Sequence, residues 1–182
     1  MLAIITGAVA GAIFGHVRSS ADIDFSIEFK RPSDIFESDL DAALRRTSEA
    51  TGINIQYAKD IDRWGLISIL DYKEKSIPYR KFGAIEVRTL APLHWCIGKF
   101  SRYLQSDIQD LAAVLKKKRI PAIELAEILG RALKQSPLSS HCFQFRKHVE
   151  HFFQKYGRKI WGARFDLSGS IRLFHQAAGI SL

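Results

Sequence analysis

From Ala21 to Phe29 the chain alternates without a break: Ala21, Ile23, Phe25, Ile27 and Phe29 are apolar, and Asp22, Asp24, Ser26 and Glu28 are polar. That is the period of a half-buried strand, apolar side inward. Asp22 and Asp24 therefore project from the same face, about 6.6 Å apart along the strand. Two carboxylates so placed converge on a hard divalent cation. Mg²⁺ in particular uses one or two carboxylates and completes its shell with water and substrate phosphates. The pattern thus points to metal-assisted phosphoryl or nucleotidyl transfer.

Around this strand the first hundred residues read as mixed. Leu2 to Ile5 has strand character, and Gly7-Ala8 leads into a short helical segment over Ala10 to Phe14. Pro32-Ser33-Asp34 starts a helix to about Ala50, stopped by Thr51-Gly52. Ile53 to Tyr57 alternates as a strand, Gly65 to Asp71 is a near-continuous apolar run suited to a central strand, and Ala84 to Leu90 forms another strand. The remainder is helical. Pro92 opens a helix to about Leu104, and Ser106 with Gln109 has the form of a capping box for one to about Lys118. Pro121 opens another to about Lys134, Ser139 or Ser140 one to about Tyr156, and a short helix covers Ser170 to Ala178.

The fold class expected is α+β: a small mixed sheet flanked by helices over residues 1–91, followed by a C-terminal helical bundle over 92–182. A chain of 182 residues buries a core without covalent staples. Cys96 and Cys142 are isolated and too few for a disulfide framework, which suits a reducing, cytoplasmic setting. Leu2 to Gly15 lacks a basic flank and is too short to span a bilayer, so neither a signal sequence nor a membrane partner is expected. The six histidines form no metal-binding pattern.

Charge divides the chain more sharply than composition does. Residues 1–100 hold 13 Lys and Arg against 13 Asp and Glu, so the net charge of +8 resides wholly in residues 101–182. An anionic partner such as nucleic acid lying across the C-terminal part is one reading. Solvated helix faces are the other, and Lys116-Lys117-Lys118-Arg119 equally suits a basic helix C-terminus that offsets the macrodipole.

Taken together, Gly7-Ala8-Val9-Ala10, Arg18-x-Ser20-x-Asp22-Ile23-Asp24-Phe25, Lys99-x-x-Arg102 and Asp107-x-x-Asp110 resemble the polymerase-β-type nucleotidyltransferase superfamily. The closest resemblance is to the small bacterial AbiEii-type and minimal nucleotidyltransferases, several of them toxins of toxin–antitoxin pairs. The motifs cover roughly residues 2–30 and 84–115. Ala91-Pro92-Leu93 ahead of Lys99 follows the same order, whereas Ala8 stands where the superfamily prefers Ser or Gly. Its members also usually carry a helix ahead of the glycine motif. A chain opening almost at the first strand departs from that, as a truncated or mis-started reading frame would.

The resemblance implies a nucleotidyltransferase sheet and transfer of a nucleoside monophosphate from an NTP to a hydroxyl on RNA, a tRNA end or a protein, with Mg²⁺ or Mn²⁺ as cofactor. An antitoxin partner is a further family-level expectation. Asp22 and Asp24 would hold metal, Gly7 and Ala8 would cradle phosphate through backbone amides, and Lys99 and Arg102 would meet the outer phosphates. Arg18 and Ser20 would assist near the metal strand. Glu86 is expected to complete the metal site or act as base, with Asp71 the substitute; equally, Glu86 pairs with Arg88 as a structural contact. Asp107 suits a helix N-terminus whatever the function, and Asp110 with Lys99 suits an ion pair joining helices to sheet. Two competing functions remain open: a catalytically inactive module of the same fold that binds nucleotide, RNA or a partner protein, and a general RNA-binding domain driven by the basic half.

Overall fold

A computed structural model of the chain describes residues 1–15, 22–29, 37–63 and 66–180. Five strands, β1 (Leu2–Ile5), β2 (Asp22–Glu28), β3 (Asn54–Ala58), β4 (Ile77–Phe82) and β5 (Ile85–Thr89), make one mixed sheet in the order β3-β2-β1-β5-β4. β1 runs antiparallel to β2 and parallel to β5, while β2 pairs in parallel with β3. Helices α1 (Gly7–Ile13), α2 (Glu37–Thr51) and α3 (Tyr72–Lys75) lie between the strands in sequence. After the sheet come α4 (Pro92–Arg102), α5 (Gln105–Lys117), α6 (Ala122–Gln135), α7 (Ser140–Trp161) and α8 (Leu167–Ala178). The expected α+β class, mixed sheet first and helices after, is what is found.

Among the described residues one buried cluster runs from Ile4, Ala10 and Phe14 through Trp95, Ile97 and Phe100 of α4 to Phe152 and Phe174 of α7 and α8. The division drawn at 91/92 falls at the start of α4, and the core continues across it. No helix among the described residues is long and apolar enough to cross a membrane.

Two local expectations are corrected and one strand is added. The apolar run Leu66 to Leu70 is not a strand, because side chains replace a ladder: Ser136 Oγ accepts from Ser68 N–H, Asp62 from Ile69 N–H and Ser68 Oγ from Leu70 N–H, which leaves Ile67 and Ile69 free to turn inward. The sheet is completed instead by β4, exposed along its whole length, whose Pro78 is tolerated because β4 is an edge strand. Finally, Tyr103 takes a left-handed conformation (φ 55°) after α4, so Leu104 becomes the N-cap of α5. Its N–H is met by Asp107, three residues on, and the Ser106 and Gln109 pairing does not form the cap. Pro32, Ser33, Asp34 and Gly65 lie outside the described residues.

Candidate functional site

The site begins where β1 stops. Thr6 N–H donates to the Asp24 carbonyl at 2.8 Å, and the next residue, Gly7, turns with φ +62°. Only glycine fits there, for two reasons. The conformation is left-handed, and a Cβ on Gly7 would stand 2.0 Å from Asp24 Oδ2. The Asp24 carboxylate therefore rests against bare backbone at the turn into α1.

Trp95 on α4 locks that turn in place. Its indole N–H donates to the Gly7 carbonyl at 2.7 Å, and Phe14 meets its ring edge-on at a centroid distance of 5.9 Å. Four residues along the same helix, the Lys99 ammonium lies 5.2 Å from the Trp95 ring. Lys99 donates to Asp107 at 2.9 Å and to Asp110 at 2.7 Å, and all three side chains are buried. Arg102, largely exposed, also donates to Asp107, at 2.8 Å.

These groups surround a cavity of about 140 Å³ in which Asp24 and the Gly7 turn face Lys99, Ser101 and Arg102, with Ile61 and Ile69 as apolar wall. Burial pushes the Asp24 carboxyl up and the nearby Asp22 charge adds to this, while Arg102 and Lys99 pull it back down. Two acids and two cations thus act on one another across a small space. For Asp107, burial alone would raise the carboxyl, but the hydrogen bonds and charges of Arg102 and Lys99 outweigh it and hold it below the ordinary range.

The two shifts act on stability in opposite senses. Asp24, raised above its ordinary 3.8, favours the fold most below that value, and the contribution is lost as pH rises through its raised folded value. Asp107, lowered, contributes above 3.8 and is lost as pH falls through its depressed value. Burial also raises Asp62, and it lowers His94, whose protonation as pH falls works against the fold. The gain in melting temperature of Asp24→Asn over the wild type is therefore expected to shrink as the solution is acidified from neutral toward the ordinary carboxylate range, as thermal scans over a pH series will read.

Of the expected site residues, Gly7, Asp24, Lys99 and Arg102 line one cavity, and Asp22 shares the Asp24 face of β2. Ala8 is the second residue of α1, half-buried, and is not among the lining groups. Arg18 and Ser20 lie outside the described residues. Glu86 does not join the pair. It lies opposite Leu2, which lies opposite Glu28, so it shares the sheet face of Asp24 but sits four residues away in register, about 13 Å along the strand direction and two strands across. There it binds Arg88 at 3.0 Å. The alternation identifies the face correctly; the register it cannot supply. Asp71 stands exposed at the N-cap position of α3, makes no side-chain cap bond there, and is likewise outside the cavity lining.

Two residues not anticipated as part of the site stand beside the aspartates. In the β2–β3 pairing Asn54 is opposite Asp22 and Gln56 opposite Asp24, on the same face. The alternation of β3 could have indicated them, but only once its neighbour was known.

Among the described residues no group of three or more acidic, histidine or cysteine side chains forms a metal site. Two carboxylates on one strand face, one of them disfavoured in its charged form by burial and by its neighbour, nevertheless fit a single Mg²⁺ that draws its other ligands from water and phosphate. Cys96 is wholly buried and its thiol is pushed up by that burial, so it offers no nucleophile. Compared with family models, with curated proteins and with solved structures, the chain matches none.

Gly7→Ala tests the close approach directly. Left-handed backbone at a non-glycine residue costs about 1–2 kcal/mol, and the added methyl must also displace the Asp24 carboxylate. A fall in melting temperature of several degrees is expected, measured by thermal unfolding, whereas Gly52→Ala, equally left-handed but with open space at its Cβ, should cost only the backbone share.

Proposed function

We propose that the protein is a Mg²⁺-dependent nucleotidyltransferase that moves a nucleoside monophosphate from an NTP to a hydroxyl on RNA or protein. In this reaction the acceptor oxygen bonds to the α-phosphorus as the bond to the pyrophosphate oxygen breaks. Pyrophosphate leaves and the hydroxyl proton passes to solvent. The observation that carries the reading is the juxtaposition of Asp24, seated on the Gly7 turn, with Lys99 and Arg102 across one cavity.

Asp22 and Asp24 would hold the metal, which neutralises phosphate charge when bound. Gly7 lets a phosphate approach backbone without meeting a side chain. Arg102, exposed but paired with Asp107 through Nε and Nη2, would meet the outer phosphates with the remaining edge of its guanidinium. Lys99, already held by two carboxylates, contributes its field and fixes α4 and α5 beside the sheet.

Incubation with Mg²⁺, labelled NTPs and bulk RNA or protein should label an acceptor with the wild type and not with Asp22→Asn. Absence of both labelling and metal-dependent NTP binding in the wild type would contradict the proposal. A second reading, a module of the same fold that binds nucleotide without transferring it, is favoured by the engagement of Lys99 and by the distance of Glu86 from the pair. It predicts metal-dependent NTP binding without label transfer.

A further inference from the structure

The four consecutive cations at the end of α5 divide between two tasks. Lys117 donates to the Gly15 carbonyl at 3.2 Å and the Lys118 ammonium sits 5.7 Å from the Phe14 ring, so both face back toward α1. Lys116 and Arg119 instead line a second cavity, of about 270 Å³, floored by Ile120 and Pro121 and walled by Trp161. A basic helix end serving the macrodipole alone has no need of this division.

Arg119 carries the stronger indication. It occupies the left-handed position after α5 (φ 52°), where its N–H and that of Ile120 close the helix on the carbonyls of Lys116 and Leu115. Glycine is the usual occupant of that position, and arginine there is under backbone strain. In this conformation Arg119, exposed like Lys116, lines the cavity beside it. Trp161 makes the wall rigid: its indole N–H donates to the Ile120 carbonyl at 2.8 Å and its ring stacks on Phe165 at 5.1 Å.

The geometry points to an anion site at this cavity, distinct from the Asp24 cavity at the other end of α5, that takes a phosphate group: Arg119 and Lys116 supply charge-assisted donors, and among the described residues no carboxylate lines the space. The phosphate is either free or one unit of a nucleic-acid backbone. The inference does not depend on catalysis at Asp24.

The test follows the Trp161 indole N–H by NMR, assigned through Trp161→Phe, during titration of the full chain without metal by inorganic phosphate and, separately, by an oligoribonucleotide. Saturable movement of that resonance in either titration is expected; the phosphate arm identifies a free-anion site, and movement with the oligonucleotide alone identifies a backbone phosphate. Arg119→Gly should weaken the affinity by about tenfold or more while the melting temperature holds or rises, since the strain is relieved. Lys147→Ala, on the exposed face of α7 against Phe143, should leave affinity unchanged. No movement in either titration, full affinity in Arg119→Gly, or an equal loss in Lys147→Ala would overturn the site.

Discussion

Replacing Lys99 with methionine is expected to lower the melting temperature by on the order of 10 °C. Its ammonium lies between Asp107 and Asp110 with almost no contact with solvent. Methionine preserves the aliphatic stem and the packing on Trp95 but withdraws the positive charge from two buried carboxylates. Breaking a buried ion pair by removing one partner typically costs about 3–5 kcal/mol, and in a chain of this size each kcal/mol moves the midpoint by about 2–4 °C. Arg102 still reaches Asp107. Adding Asp110→Leu should recover part of the loss, because an apolar pair of similar volume is often as stable as a buried ion pair. A drop of less than about 2 °C in the single variant would show that the triad does not bind α4 to α5.

Asp24→Asn is expected to move stability and activity in opposite directions. Removing a charge that burial and Asp22 both disfavour should raise the melting temperature by a few degrees. The amide keeps the shape against Gly7 but binds a divalent cation poorly, so metal-dependent label transfer should fall by about a thousandfold or more. A structural acid would show the reverse, lost stability with activity intact. Gains in stability at the expense of activity are the usual mark of a functional position.

Much of this arrangement is legible in the chain because it depends on local pattern. Alternation over residues 21–29 gives β2 and the common direction of Asp22 and Asp24. Pro92 and Pro121 mark helix starts within a residue of those observed. What alternation lacks is register: Glu86 is on the right face and at the wrong level, since only the pairing through Leu2 fixes its height in the sheet. β4 is not legible in the chain because exposed apolar residues and a proline lack the pattern of a strand. The run 66–70 misled for the opposite reason, being apolar enough for a sheet centre while its backbone is satisfied by Asp62, Ser68 and Ser136. The role of Trp95, joining the Gly7 turn to α4 across 88 residues, is a tertiary contact that no window of sequence contains.

The most direct measurement is a crystal soaked with Mn²⁺ and a non-hydrolysable NTP analogue, read by anomalous scattering. An anomalous peak about 2.1 Å from carboxylate oxygens of Asp22 and Asp24, with triphosphate density extending toward Arg102, is the predicted result. Manganese and nucleotide bound elsewhere, with those two carboxylates untouched, would contradict it.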